Sequence, residues 1–203
     1  MITIEVFYSF QSPYCHLALD EIYALEQDYD VELIWQPFSA KTAGQAVGNS
    51  NLSEEKISYI IEDTKRYAKN HNIPLKIPAS WPGEEFDPTR VTRGAIVAGD
   101  LGFMKEYNYK VFDYCWAEGQ NPTTEEFWTD LCDEMDVEIG DFISKISSSD
   151  VRERAKGIYN RGKTLGIFEL PTFVINKERY VGIDKLYEIR EILEKAGARK
   201  AAQ

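Results

Sequence analysis

The chain has 203 residues, 43% hydrophobic and 13% aromatic, which suffices to bury one good-sized core, or one core with a helical insertion, and excludes a disordered or fibrous protein. A formal net charge of -11, with no basic stripe outside Arg199-Lys200, argues against nucleic acid as a partner. No stretch approaches the roughly 18 apolar residues of a membrane span, and Met1-Ile2-Thr3-Ile4-Glu5 is not a basic region leading into an apolar run, so the expectation is no membrane and a cytoplasmic location.

In chain order, Ile2, Ile4, Val6 and Phe7 predict a short buried strand. A helix opens on Ser12-Pro13 and runs to about Asp28, with Tyr14, Leu17, Ala18, Ile22 and Leu25 at helical spacing. Ser12 suits the cap because its hydroxyl can accept from free backbone N–H groups, and Pro13 suits the first helical position, where no donor is needed. Val31 to Trp35 predicts a second strand, stopped by Pro37, which completes a βαβ opening with the start of the first helix at the carboxyl edge of the sheet. Ser39 to Ser50, with Gly44, Gly48 and Asn49, reads as a loop or irregular turn near that edge.

The pattern then becomes helical. A helix starts at Ser53-Glu54-Glu55-Lys56 and ends near Asn70-His71-Asn72, leaving His71 as a solvated helix-end residue. Ile73 to Pro88, proline-rich and carrying Trp81, reads as an ordered extended loop. Helices are expected at Thr89 to Leu101, Lys105 to Glu118, Thr124 to Glu134, Ile139 to Lys145 and Ser149 to Leu165, two of them preceded by the capping residues of Thr123-Thr124 and Ser148-Ser149. Strand character returns over Gly166 to Val181, which reads as a loop, a strand, a tight turn at Asn176 to Glu178 and a second short strand, and a last amphipathic helix spans Asp184 to Lys195. The expected fold class is therefore α/β. Cys15, Cys115 and Cys132, with only His16 and His71 beside them, form neither a disulfide framework nor a zinc signature, so no metal is expected.

Phe10-Gln11-Ser12-Pro13-Tyr14, Val47-Gly48-Asn49, Tyr114-Cys115-Trp116-Ala117-Glu118-Gly119, Gly166-Ile167-Phe168-Glu169-Leu170-Pro171-Thr172-Phe173 and Gly182-Ile183-Asp184-Lys185-Leu186 together resemble the DsbA-like branch of the thioredoxin superfamily. Within it the chain is most similar to 2-hydroxychromene-2-carboxylate isomerases and kappa-class glutathione transferases, which carry Ser-Pro-Tyr where oxidoreductases carry Cys-Pro-x-Cys. The resemblance implies a thioredoxin-like domain of residues 1–38 and 167–203 with a large all-helical insertion at 39–166, a cis bond at Pro171, and a thiol-sized site at the start of the first helix for glutathione as cofactor or co-substrate. It assigns Ser12 as the catalytic hydroxyl that serves glutathione, and Ser12, Pro13, Asn49, Leu170, Pro171, Ile183 and Asp184 as glutathione-binding positions. Leu170 would pair through its backbone with the cysteinyl part, and Asp184 would hold the γ-glutamyl ammonium, although Asp184 reads equally as the cap of the last helix. The implied partners are a small electrophilic substrate, with aromatic compounds among the candidates, and a second copy of the chain in a homodimer.

Two features depart from the family. Cys15 stands at the second cysteine position of a Cys-x-x-Cys motif, and Trp81 to Asp87 replaces a tighter Phe-Pro and Asn pattern. A DsbA-type thiol-disulfide oxidoreductase and a non-catalytic binding protein of the same fold are the alternatives. His16, one turn into the helix, reads as structural, and Trp35, Trp81 and Trp116 are expected near the cleft.

Overall fold

The computed structural model describes residues 1–43, 52–83 and 85–201. Strand β1 (Ile2–Tyr8) is drawn inward by Ile4, Val6, Phe7 and Tyr8, all buried. After it the Ser12 N–H donates to the Ser9 carbonyl at 3.0 Å, closing a turn. Helix α1 (Pro13–Asp28) begins there, with the Ser12 hydroxyl accepting from the Cys15 N–H at 3.4 Å and Pro13 in the first turn. Ala18, Ile22 and Leu25 of α1 face a core cluster over the sheet, while Cys15, Leu19 and Tyr23 face the larger aromatic core of the helical block.

Strand β2 (Val31–Pro37) lies parallel to β1, with Val6 opposite Trp35. On the other side of β1 runs β3 (Thr172–Ile175), antiparallel, with Phe173 opposite Val6, and β4 (Glu178–Val181) follows antiparallel to β3. The sheet order is β2-β1-β3-β4. Asn176 and Lys177 join the last two strands with φ of 51° and 71°, the paired left-handed turn that matches strand twist. The connection from β1 through α1 to β2 places the start of α1 beside the ends of both parallel strands.

Between β2 and β3 come α2 (Glu54–His71), α3 (Thr89–Leu101), α4 (Met104–Phe112), α5 (Glu125–Glu134), α6 (Ile139–Ile146) and α7 (Ser149–Leu165); α8 (Lys185–Lys195) closes the fold. Ser53, Thr124 and Ser148 cap α2, α5 and α7 with their hydroxyls, as the sequence predicts. The block is filled by Tyr107, Phe112, Trp116, Phe127 and Trp128, and Tyr8 and Phe10 belong to the same cluster, so sheet and helices share one aromatic core. Among the described residues no helix is long and apolar enough to cross a membrane.

The helix expected over Lys105 to Glu118 is two pieces. α4 ends at Phe112 and a π turn covers Asp113–Ala117, closed by the Glu118 N–H donating to the Asp113 carbonyl at 2.9 Å. Within this wider turn the indole of Trp116, fully buried, donates to the Phe10 carbonyl at 2.8 Å. The segment Ser39 to Ser50 contains a short 3₁₀ turn (Ala40–Ala43), and its residues 44–50 lie outside the described residues. His71 is an exposed helix-end residue as expected, stacked on Tyr67 at 3.9 Å between ring centres.

Candidate active site

A cleft of about 290 Å³ opens at the start of α1. That is near the lower end of small-molecule sites, roughly 300–1,000 Å³. Its floor is the β1–α1 turn, with Ser9, Gln11, Ser12, Pro13 and Tyr14. One wall is the loop before β3, with Phe168, Glu169 and Leu170. The facing walls bring Phe38, Ser39 and Ala40 from the end of β2, Leu52, Lys56 and Ile60 from α2 and its approach, and Trp81 from the proline-rich loop.

The turn is fastened from beneath. The Ser9 hydroxyl accepts from the Gln11 N–H at 3.2 Å, the Trp81 indole donates to the Gln11 carbonyl at 3.0 Å, and the Gln11 side chain donates to the Phe86 carbonyl at 2.9 Å. Phe38 can seat against α7 only because position 162 is glycine: a Cβ there would lie 2.4 Å from the Phe38 ring. Tyr14 is tied to α2 by donating to Asp63 at 2.8 Å, and burial together with that carboxylate pushes its phenol well above the ordinary value. Tyr14 therefore stays protonated and acts as a brace.

Ser12 is the polar centre of the floor. Its hydroxyl donates to the Leu170 carbonyl at 3.1 Å, while the same oxygen accepts from the Cys15 N–H. The Leu170–Pro171 peptide is cis, as is Trp81–Pro82. The positive end of α1 lies at this point, a setting that favours an anion. Lys56 and Glu169 meet at 3.6 Å across the mouth, both about half exposed, and Phe168 stands 76% exposed beside them as an apolar surface a ligand can cover.

Of the positions singled out in the sequence, Ser12, Pro13 and Leu170 line the cleft. Pro171 is buried directly behind Leu170 and accepts at its carbonyl from the Gly182 N–H at 2.9 Å, which brings Ile183 and Asp184 to the same end of the sheet without making them walls. Asp184 stands at the N-cap position of α8, as the sequence expects, although its carboxylate makes no capping hydrogen bond. Asn49 lies outside the described residues.

Of the tryptophans, Trp81 lines the cleft, whereas Trp35 is set on Tyr23 at 4.4 Å and Trp116 lies under Trp81 at 5.8 Å. Lys56, Glu169 and Phe168 escaped the sequence reading. One signal was present for Lys56, a cation in the first turn of a helix, where acidic residues such as Glu54 and Glu55 suit the dipole better.

His16 is buried away from the cleft walls, with Nε2 2.9 Å from the Pro74 carbonyl, and burial lowers its pKa. It is a neutral packing residue. Cys15 is 1% exposed, and burial, outweighing the Ser9 backbone and Ser12 hydroxyl contacts, pushes its thiol up to about 12. A thiol held so far above the ordinary value carries almost no thiolate near neutrality.

The sequence matches the family model for the DSBA-like thioredoxin domain over residues 3–194. It is 24% identical over 191 residues to a 2-hydroxychromene-2-carboxylate isomerase of Pseudomonas sp. strain C18, covering 92% of this chain and 88% of that protein. A solved 2-hydroxychromene-2-carboxylate isomerase superposes with a TM-score of 0.82 at 23% identity, over 97% of this chain and 96% of that one. A cytosolic disulfide reductase of Pseudomonas aeruginosa solved with GSH has a TM-score of 0.68 at 15% identity, over 96% of this chain and 98% of that one.

Proposed function

The chain belongs to the DSBA-like thioredoxin family, and we propose that within it the chain is a glutathione-dependent isomerase of the 2-hydroxychromene-2-carboxylate type, or a closely related glutathione transferase. The observation that carries this reading is the Ser12 hydroxyl, 3.1 Å from the Leu170 carbonyl at a helix N-terminus that opens into a cleft. The donor set fits a cysteinyl thiol: a hydroxyl and a helix end for sulfur, a carbonyl for an amide, and apolar walls for a second reactant.

Glutathione, when bound, would supply a thiolate that adds to an electrophilic carbon, permits rotation about the former double bond and leaves again. The residues of the chain stabilise that anion. The end of α1 presents about half a positive charge, and the Ser12 hydroxyl can give one hydrogen bond, both favouring thiolate over thiol. Among the described residues the Ser12 hydroxyl is bonded to the Leu170 carbonyl and the Cys15 N–H and to no basic side chain, with His16 held at Pro74, so the hydroxyl acts as a donor and not as a nucleophile. Leu170 would hold the cysteinyl amide, with Pro13 and Pro171 shaping the seat and Ile183 and Asp184, together with Asn49, serving the outer parts of the tripeptide. Trp81, Ile60, Leu52 and Phe38 offer an apolar wall against which a flat electrophile can lie.

Disulfide exchange fits less well. Serine occupies the position of the attacking thiol, and Cys15 is buried and protonated. The test is the interconversion of 2-hydroxychromene-2-carboxylate and its open-chain isomer, followed by absorbance with and without added glutathione. Turnover that requires glutathione supports the reading; turnover at the same rate in its absence, or none with it, overturns it.

A further inference from the structure

The Ser12 hydroxyl has one hydrogen, and in this structure it is given to the Leu170 carbonyl, not held ready for a ligand. Both residues line the cleft and Leu170 is half-buried, so a ligand seated there shuts water away from that carbonyl. Turning the hydroxyl toward a sulfur anion would leave the carbonyl without a donor, and an unmade buried hydrogen bond is costly. A ligand that brings its own N–H to the Leu170 carbonyl removes that cost.

We infer that Ser12 and Leu170 form a hydrogen-bond exchange: a thiol becomes ionised in this cleft only when the same molecule carries an amide N–H that takes over the Leu170 carbonyl and frees the Ser12 hydroxyl for sulfur. The inference rests on the thiol-binding reading above and adds to it the class of thiol selected, a cysteinyl peptide with its own amide N–H intact. Geometry suits that class. The amide nitrogen and the sulfur of a cysteine are three bonds apart, roughly 3–4 Å by standard bond lengths. The two protein oxygens that would receive them are 3.1 Å apart. The Cys15 N–H still donates to the Ser12 oxygen in either state, which fixes the oxygen while its hydrogen swings.

The probe is glutathione against its depsipeptide analogue, in which an ester oxygen replaces the cysteinyl N–H. Thiolate absorbance is followed against pH at saturating ligand, each bound thiol being compared with its own free value. The exchange predicts that bound glutathione shows a lowered thiol pKa and that the analogue binds as a neutral thiol, the two shifts differing by about one pKa unit, the scale of one unpaired carbonyl. It also predicts that Ser12→Ala abolishes this difference and weakens the analogue more than glutathione, because only the analogue then leaves the Leu170 carbonyl bare. Equal lowering for both thiols, or failure of the analogue alone to bind, overturns the exchange and leaves the thiol site standing. Failure of both to bind overturns the thiol site itself.

Discussion

The Trp116 indole donates to the Phe10 carbonyl at 2.8 Å, so the helical block reaches across and holds the residue two positions before Ser12. Phe10 is itself fully buried, with its ring 4.8 Å from that of Phe112. Trp116 is therefore a positioning residue for a turn it does not share. Trp116→Phe should cost roughly 1–3 kcal/mol for the unpaired carbonyl, before any loss of packing. It should also raise the thiol pKa of bound glutathione, a change that overall destabilisation would not produce. Urea unfolding and thiolate absorbance check the two effects; an unchanged thiol pKa would show that the turn holds its shape without the indole.

Acid should weaken the fold partly through His16. Burial depresses its folded pKa, opposed by the Pro74 carbonyl contact and then by the weaker pull of Asp113 and Asp20, so below the unfolded value of about 6.5 the unfolded chain binds a proton that the folded chain refuses. Stability from this group is thus whole above about pH 6.5 and is lost as the pH falls through the depressed folded value. In His16→Gln the side-chain amide can still donate to the Pro74 carbonyl but cannot titrate. Its urea midpoint should fall less than that of the natural protein between about pH 7.5 and about pH 5.5. Equal falls would show that carboxylates alone set the acid limit.

Ser12→Cys should convert the site to redox chemistry. The new thiol would sit at the N-terminus of α1, where the helix end lowers its pKa below about 8.5. The resident Cys15 lies one turn inside, buried and protonated, as the second member of a Cys-Pro-Tyr-Cys motif. Oxidation should remove two titratable thiols from the variant, and the variant should reduce insulin while the natural protein does not. Insulin reduction at equal rates by both would show that Ser12 is not what separates this chain from oxidoreductases.

What the sequence made legible was local. Ser12-Pro13 announced α1, Ser53, Thr124 and Ser148 announced three further helices, and alternating apolar residues marked the strands, because caps and periodicity act within a turn or two of chain. Ser12, Pro13 and Leu170 were found because each belongs to a contiguous motif. Lys56 was not, since it reaches the cleft only through the docking of α2 against the loop before β3; Phe168 and Glu169 stand in the same motif as Leu170, but a motif shows no side-chain direction and so did not mark them as walls. The π turn at Asp113–Ala117 was missed for a different reason: a single wide turn barely changes the apolar period, and the contact that accompanies it, Trp116 on the Phe10 carbonyl, is long-range. Trp116 does sit next to the cleft, one ring behind Trp81, whereas Trp35 was placed too near it because composition shows that an aromatic residue is buried without showing against which neighbour.

The most direct measurement is a glutathione titration read by tryptophan fluorescence. Trp81 is a wall of the cleft and 6% exposed, so a ligand seated over Ser12 and Leu170 changes its surroundings, while Trp35 and Trp128 lie off the cleft walls. A saturable change in emission is expected, persisting in Ser12→Ala and largely lost in Trp81→Phe. Emission that stays flat, or drifts linearly without saturation, would contradict the claim that this cleft is a glutathione site.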